Sequence, residues 1–475
     1  MQWPRVIQGG MGVGISNWRL ARAVAQEGQL GVVSGTALDQ LMTRRLQDGD
    51  PGGHMRRGLD RFPVRAIAED IWKRYFIPGG KPARQAYVEL PQHTLDSPRH
   101  LTELCVAANF VEVFLARDGH NGLVGINYLE KIQIPHLASL YGAMLAGVSV
   151  VLMGAGIPLK IPGALDLLAQ HSPATYPLYV TGALPTDTYH VSFDPASIVP
   201  GPLAPLERPK FFAIISSDVL ALTLQRKANG RVDGFIVEGP TAGGHNAPPR
   251  GKLQLSDKGE PVYGDRDRVD LDKLRALGLP FWLAGGYGSP EKLDEAMSLG
   301  AAGIQVGTAF ALCAESGLRD DYRQQLIARV AAGTTEVFTD PLASPTGFPF
   351  KIAHVDGSLS DPEIVAARPR ICDLGYLREP YRQADGSVGW RCPAEPANVY
   401  VAKGGALEDT VGRKCICNAL VATAGHPQIR AGKYEERGVM TSGDDLPSAR
   451  QFMPPGGGPY RAADVIAHLL AGVAS

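Results

Sequence analysis

The chain is short of several features that usually narrow a function. Its net charge is −1, from 47 Lys and Arg against 48 Asp and Glu in 475 residues. That balance excludes the basic excess by which proteins hold nucleic acid or an anionic membrane surface. Only six cysteines occur, Cys105, Cys313, Cys372, Cys392, Cys415 and Cys417. They are too few and too dispersed for a disulfide scaffold, so a reducing, cytoplasmic compartment is expected. Cys415-Ile416-Cys417 is tighter than the pairs that hold structural zinc, and the spacings match no iron–sulfur run, so no metal is expected. The opening MQWPRVIQGG has no charged segment followed by an apolar core, and no signal peptide is expected. One stretch, Leu137 to Ile157, carries no charge and is long enough to cross a bilayer. Gly142, Gly147, Gly154 and Gly156 interrupt it, and its β-branched residues cluster only at Val148 to Val151. A helix, a turn and a buried strand read end to end account for it without a membrane.

What is present is a globular composition, 44% hydrophobic and 20% charged, with 56 glycines and 37 prolines that imply many turns. The length suits a barrel of about 250 residues plus additions. Val6-Ile7-Gln8 reads as a strand followed by Gly9-Gly10-Met11-Gly12. Ser16 or Asn17 would then cap a helix running to about Glu27, and Gly31 to Val33 is a second strand. Strand, glycine turn, helix and strand in about 30 residues is a unit of a parallel sheet. From about Leu41 to Leu123 that rhythm is lost, and the stretch reads as an insertion, partly helical near Arg99 to Leu115. Strands resume at Val124–Asn127, Val148–Met153, Phe211–Ile215, Phe235–Val237, Phe281–Leu283 and Ile304–Val306. Helices lie between them at about Leu137–Ala146, Pro162–Gln170, Asp218–Lys227 and Pro290–Leu299, and a hairpin is expected from Tyr176–Thr181 and Tyr189–Phe193. Eight alternating strands predict an α/β fold, a (β/α)8 TIM barrel formed by residues 1–40 and 123–318. An open doubly wound sheet is the alternative that periodicity alone leaves standing. Residues 41–122 form the insertion after the second strand, and 319–475 an irregular C-terminal region whose closing helix near Ala462–Leu470 docks back.

In a barrel all βα loops open on one face, so three glycine-rich turns would converge. They are Gly9-Gly10-Met11, the loop after Phe235–Val237 with the sequence EGPTAGGHNAP, and the pair Ala284-Gly285-Gly286 with Gln305-Val306-Gly307-Thr308. Consecutive backbone N–H groups in such turns form an anion site suited to a phosphate. The second turn carries one titratable group, His245, whose ordinary pKa suits either a base or a cationic anchor.

The segment WLAGGYGSPEKLDEAMSLGAAGIQVGTAF resembles the phosphate-binding segment of FMN-dependent barrels. VEGPTAGGHNAP is similar to the EAGGH loop of the nitronate monooxygenase (2-nitropropane dioxygenase) family and of the related FMN-dependent enoyl-ACP reductases. IQGGMGVGISNWRLARAVAQEGQLGVVS and VGIN match that family's opening and third strand. The resemblance covers roughly Val6 to Phe310 apart from the insertion. It implies FMN as cofactor, with Gly10, Met11 and Asn127 along the flavin and Gly243 and Gly244 passing close to it. Glu238 would border it, Gly285, Gly286, Gly307 and Thr308 would hold the phosphate with Gln305 nearby, and His245 would be the catalytic histidine.

The chain departs from the family's pattern. Glu238 stands where monooxygenases commonly have Gln, Thr241 replaces the glutamate of EAGGH, and Asn246-Ala247-Pro248-Pro249-Arg250 follows the histidine. The resemblance therefore implies oxidation of alkyl nitronates with O2, with His245 as base or substrate anchor. The alternative is an FMN- and NAD(P)H-dependent enoyl reductase acting on thioester or acyl-carrier-protein substrates, and a third reading is an inactive flavin-binding partner. A homo-oligomer is compatible with each.

Overall fold

A computed structural model describes residues 3–201 and 203–471. Eight parallel strands close into a barrel. In chain order they are β1 (Val6–Gln8), β2 (Leu30–Ser34), β3 (Val124–Leu129), β4 (Val150–Gly154), β5 (Lys210–Ile215), β6 (Gly234–Glu238), β7 (Phe281–Ala284) and β8 (Gly303–Val306). Closure is by β1 on β8, with Val6, Ile7 and Gln8 opposite Ile304, Gln305 and Val306. The open-sheet alternative is thereby set aside. The hairpin pairs Ala174–Pro177 with His190–Phe193, apart from the barrel.

The strands read as unbroken apolar runs because both faces are covered. Phe211, Ala213 and Ile215 of β5 face the helix layer, while Phe212 and Ile214 point into the barrel. The interior is filled by residues such as Ile7, Val32, Leu152, Phe212, Ile236 and Trp282. Phe212 and Trp282 stack at 4.8 Å between ring centroids, and Trp3 closes the end remote from the site against both. The Trp282 indole N–H donates to the Pro4 carbonyl at 2.8 Å, so its burial leaves no orphaned donor.

Asn17 caps the first barrel helix, Trp18–Gln26, its side chain accepting from the Leu20 N–H at 3.0 Å. The connection from β2 to β3 is more helical than its composition implies. It holds Leu38–Gln47, His54–Leu59, Arg65–Tyr75 and the long helix Arg99–Arg117. That last helix packs against both Trp18–Gln26 and His136–Leu145, the place of an outer-layer barrel helix. Its core face includes Leu104, Ala108, Val111 and Leu115. The uncharged stretch Leu137 to Ile157 is made of helix His136–Leu145 and β4, as its glycines imply. Among the described residues no helix is long and apolar enough to cross a membrane.

Past residue 319 the chain forms short antiparallel pairs, Val337–Asp340 with Phe350–Ala353 and Glu379–Arg382 with Val388–Arg391. The closing helix Ala462–Leu469 docks on Trp18–Gln26. Within this region Arg368 binds the fully buried Glu436 through two hydrogen bonds of 2.8 and 2.9 Å. Such a fork pairs two buried charges while satisfying their donors and acceptors.

Candidate active site

Inward-facing positions at the carboxyl ends of the strands supply the first site groups. Strand parity turns Asn127, Glu238 and Gln305 inward, in step with Leu152, Ile236 and Ile7. Register sets Glu238 beside Ala284 and Ala284 beside Gln305, giving one row at the top of the barrel. The β1 turn lies across this layer. A Cβ on Gly10 would fall 2.4 Å from the Asn127 Cβ, so the close approach of that turn to β3 requires glycine. Gly9 donates to the Val306 carbonyl at 2.9 Å, fastening the same turn to β8.

The turn after β7 passes through Gly285 and Gly286 at φ of 89° and 74°, in the left-handed region. A Cβ on Gly285 would also meet the Thr241 hydroxyl oxygen at 2.9 Å. Two adjoining cavities of about 930 and 730 Å³ open over these turns and share Gly10, Gly12, Glu238, Gly243, Gly244 and Thr441. Gly10, Asn127, Glu238, Gly243, Gly244 and His245 line the larger cavity. Met11, Gly285, Gly286, Gln305, Gly307 and Thr308 line the smaller. The twelve residues singled out in the sequence are thus brought to one continuous space.

Two titratable groups there depart far from their ordinary state. Among the described residues the Glu238 carboxyl has no hydrogen-bond partner, and burial pushes its pKa up to about 8. It is therefore mostly protonated at neutral pH and able to donate a hydrogen bond. Burial pushes the His245 imidazole down to about 4, so it is neutral. Its Nε2 lies 2.7 Å from the Ser344 hydroxyl, which in turn lies 2.8 Å from the Thr346 hydroxyl. The ring stands edge-on to Phe350 at 4.8 Å. At neutral pH the ring is therefore an uncharged hydrogen-bonding group held by Ser344.

The glycine signals gave no hint of the C-terminal contribution. Gly244 donates to the Thr441 hydroxyl at 2.6 Å, and Asp444 donates through its N–H to the Thr241 carbonyl at 3.0 Å. Thr308 accepts from the Gly443 N–H at 3.1 Å and donates to Asp445 at 2.7 Å. Residues 441–445 thus bridge the His245 loop and the turn after β8. Burial raises the Asp445 carboxyl above its ordinary value, with the Thr308 hydroxyl acting the other way. The smaller cavity has two acids on its wall, Glu238 and Asp445, and neither Lys nor Arg. Tyr376, Ile416, Cys417 and Leu420 from the C-terminal region also face the larger cavity. The six cysteines are free thiols, and among the described residues no three His, Cys, Asp or Glu are placed to hold a metal.

Part of the chain is similar to known proteins. The nitronate monooxygenase family model matches residues 192–341. A nitronate monooxygenase of Pseudomonas aeruginosa is 36% identical over 118 residues, 25% of this chain and 32% of the relative. One from Paraburkholderia phytofirmans is 27% identical over 208 residues, 43% of this chain and 52% of the relative. The chain therefore matches from about a third to about half the length of these two curated relatives. Among solved structures, FabK from Thermotoga maritima aligns over 99% of this chain and 92% of its own, at 16% identity and a TM-score of 0.48. The matched segment contains β5 to β8, Glu238, His245 and both glycine turns after β7 and β8. It is this half of the barrel that is similar to the nitronate monooxygenase family.

Proposed function

We propose that the chain is an FMN-dependent oxidoreductase that oxidises alkyl nitronates with O2. The observation that carries the reading is the placement of a neutral, hydrogen-bonded His245 over a cavity whose floor is a row of glycine turns and unpartnered polar groups. The site fits a flat, polar-edged group. Among the described residues the buried Gln305 Oε1 has no partner, and the Glu238 carboxyl makes no hydrogen bond. A Cβ at Gly10 would close the approach to Asn127. Gly10, Met11, Asn127, Glu238, Gly243 and Gly244 would hold the ring system, and Gly285, Gly286, Gln305, Gly307 and Thr308 the phosphate end. When bound, FMN supplies the electron path from substrate to O2, and the protein supplies position and electrostatics.

The chain's own residues then have separable tasks. Protonated Glu238 donates a hydrogen bond into the site, which an ionised carboxylate does not. Ser344 fixes the His245 ring, leaving Nδ1 without a partner among the described residues and available to substrate. The apolar wall of Val13, Ile132, Ile214, Phe350 and Leu420 excludes water and favours an alkyl substituent. Purified protein loaded with FMN is expected to consume O2 with propyl-2-nitronate and to lose that turnover in His245→Ala while retaining flavin. Rapid anaerobic bleaching by NADPH, with no nitronate turnover, would instead establish the enoyl reductase reading. Glu238, standing where monooxygenases commonly have Gln, favours that second reading.

A further inference from the structure

A third cavity, of about 1120 Å³, lies outside the two already described, between the residues after β3 and the C-terminal region. Its wall carries Lys131, Arg378, Arg391 and Arg413. Arg391 is neutralised by Glu379 at 2.9 Å. The other three have no carboxylate partner among the described residues. Arg413 donates to the backbone carbonyls of Asp409, Leu342 and Ser344. Arg378 donates to the carbonyls of Gly375 and His93, with its guanidinium 5.1 Å from the Trp390 ring centre. The Lys131 ammonium lies 5.6 Å from the Phe348 ring centre.

The same wall carries three acids against its four cations, and none of these acids forms an ion pair with Lys131, Arg378 or Arg413. Glu130 accepts from Tyr176 at 2.8 Å and from Gln133 at 2.9 Å, Glu379 is engaged by Arg391, and Asp409 is exposed. Three cations from separate segments facing one cavity, each bound only to neutral groups, are the arrangement expected where a ligand brings the counter-charge.

This vestibule adjoins the site of His245. Leu377 lines both spaces, and Thr346 on the vestibule wall joins His245 through Ser344. Phe348, beside Lys131, also lies 6.5 Å from the His245 ring. We infer that the vestibule binds a phosphate group at the distal end of an apolar substrate, whose reacting end lies at His245. A small nitronate would leave it empty, so the natural substrate is longer and carries an anionic handle. Only the placement of the reacting end rests on the oxidoreductase reading; the anion site stands on the cations themselves.

The test is calorimetric titration of the full-length, FMN-loaded protein with hexyl phosphate and, as the neutral counterpart, hexan-1-ol. Hexyl phosphate is expected to bind at least about ten-fold more tightly, the advantage shrinking as salt rises. Lys131 is exposed and makes no hydrogen bond, so Lys131→Gln and Lys131→Glu leave folding intact. Lys131→Gln should weaken hexyl phosphate about five-fold and Lys131→Glu further, with hexan-1-ol unchanged. Equal affinity for the two compounds, no binding of either, or hexyl phosphate binding indifferent to Lys131→Glu would overturn the inference. Flavin content, read from the absorbance spectrum, reports separately on the cofactor reading.

Discussion

Replacing Glu238 by Gln should stabilise the flavin-free protein by an amount that grows with pH. The carboxyl is held at a pKa of about 8 against an ordinary value of 4.5. Below pH 4.5 it is protonated in folded and unfolded chains alike, and it contributes no difference. Between 4.5 and 8 the unfolded chain ionises while the folded chain keeps its proton, so stability falls as pH rises. Above 8 both forms are ionised and the loss levels off. At pH 7 the penalty is about 3 kcal/mol, an upper figure because the group also faces the cavity. Glutamine has the same shape without the ionisation. Denaturant midpoints of wild type and Glu238→Gln, measured from pH 4 to pH 8, should coincide at the acid end and diverge steadily toward neutrality. A gain of equal size at every pH, or a loss at pH 7, would refute the claim that ionisation of a buried, unpartnered carboxyl sets the difference.

Other perturbations separate the remaining parts of the site. Asp445→Asn removes an acid from the cavity wall proposed to receive a phosphate and should lower the FMN dissociation constant roughly ten-fold. Fluorescence titration reads this, and an unchanged or larger constant refutes it. The advantage should shrink in acid, where Asp445 is itself neutral. Ser344→Ala leaves His245 Nε2 without its hydrogen bond and should cut nitronate kcat about ten-fold while flavin content is retained, a cost of the order of one lost hydrogen bond. Flavin loss in place of a kcat effect would assign Ser344 to cofactor binding. Gly10→Ala forces a Cβ onto Asn127 and should strip flavin on desalting, whereas Gly244→Ala, whose added Cβ meets nothing within 4 Å but sits at φ 83°, should cost stability before flavin. The order of flavin retention in the two variants decides between crowding and backbone strain.

Much of this arrangement is legible in the sequence because barrels repeat one local rule. Short β-branched runs followed by glycine turns place Gly10, Gly285 and Gly307 at the same end, and parity brings Asn127, Glu238 and Gln305 inward. Helix Asp218–Lys227 has the bounds its pattern implies, since Ser217 accepts from the Leu220 N–H at 3.0 Å and two cations occupy its last turn. The helix Arg99–Arg117 is legible only in part. It is buried on several sides, so it lacks the one-sided stripe that marks a surface helix. Asp445 and Ser344 leave no local signature at all. They reach the site through loops whose position is set by tertiary contacts, such as Ala353 donating to the Met440 carbonyl at 2.9 Å. The charge states of Glu238 and His245 are likewise invisible in composition, because burial creates them.

The bridge from residues 441–445 to Thr308 and the His245 loop has a consequence for synthesis. A ribosome delivers β1 first, but the barrel seam closes only when β8 emerges, and the smaller cavity gains its last wall when Asp445 does. A nascent chain thus carries an open-edged sheet until β8 emerges and a roofless pocket until residues 441–445 do, the interval in which unpaired strands invite aggregation. On the proposed reading, cofactor arriving before residues 441–445 would find turns but no cover, so its retention would depend on that segment being in place.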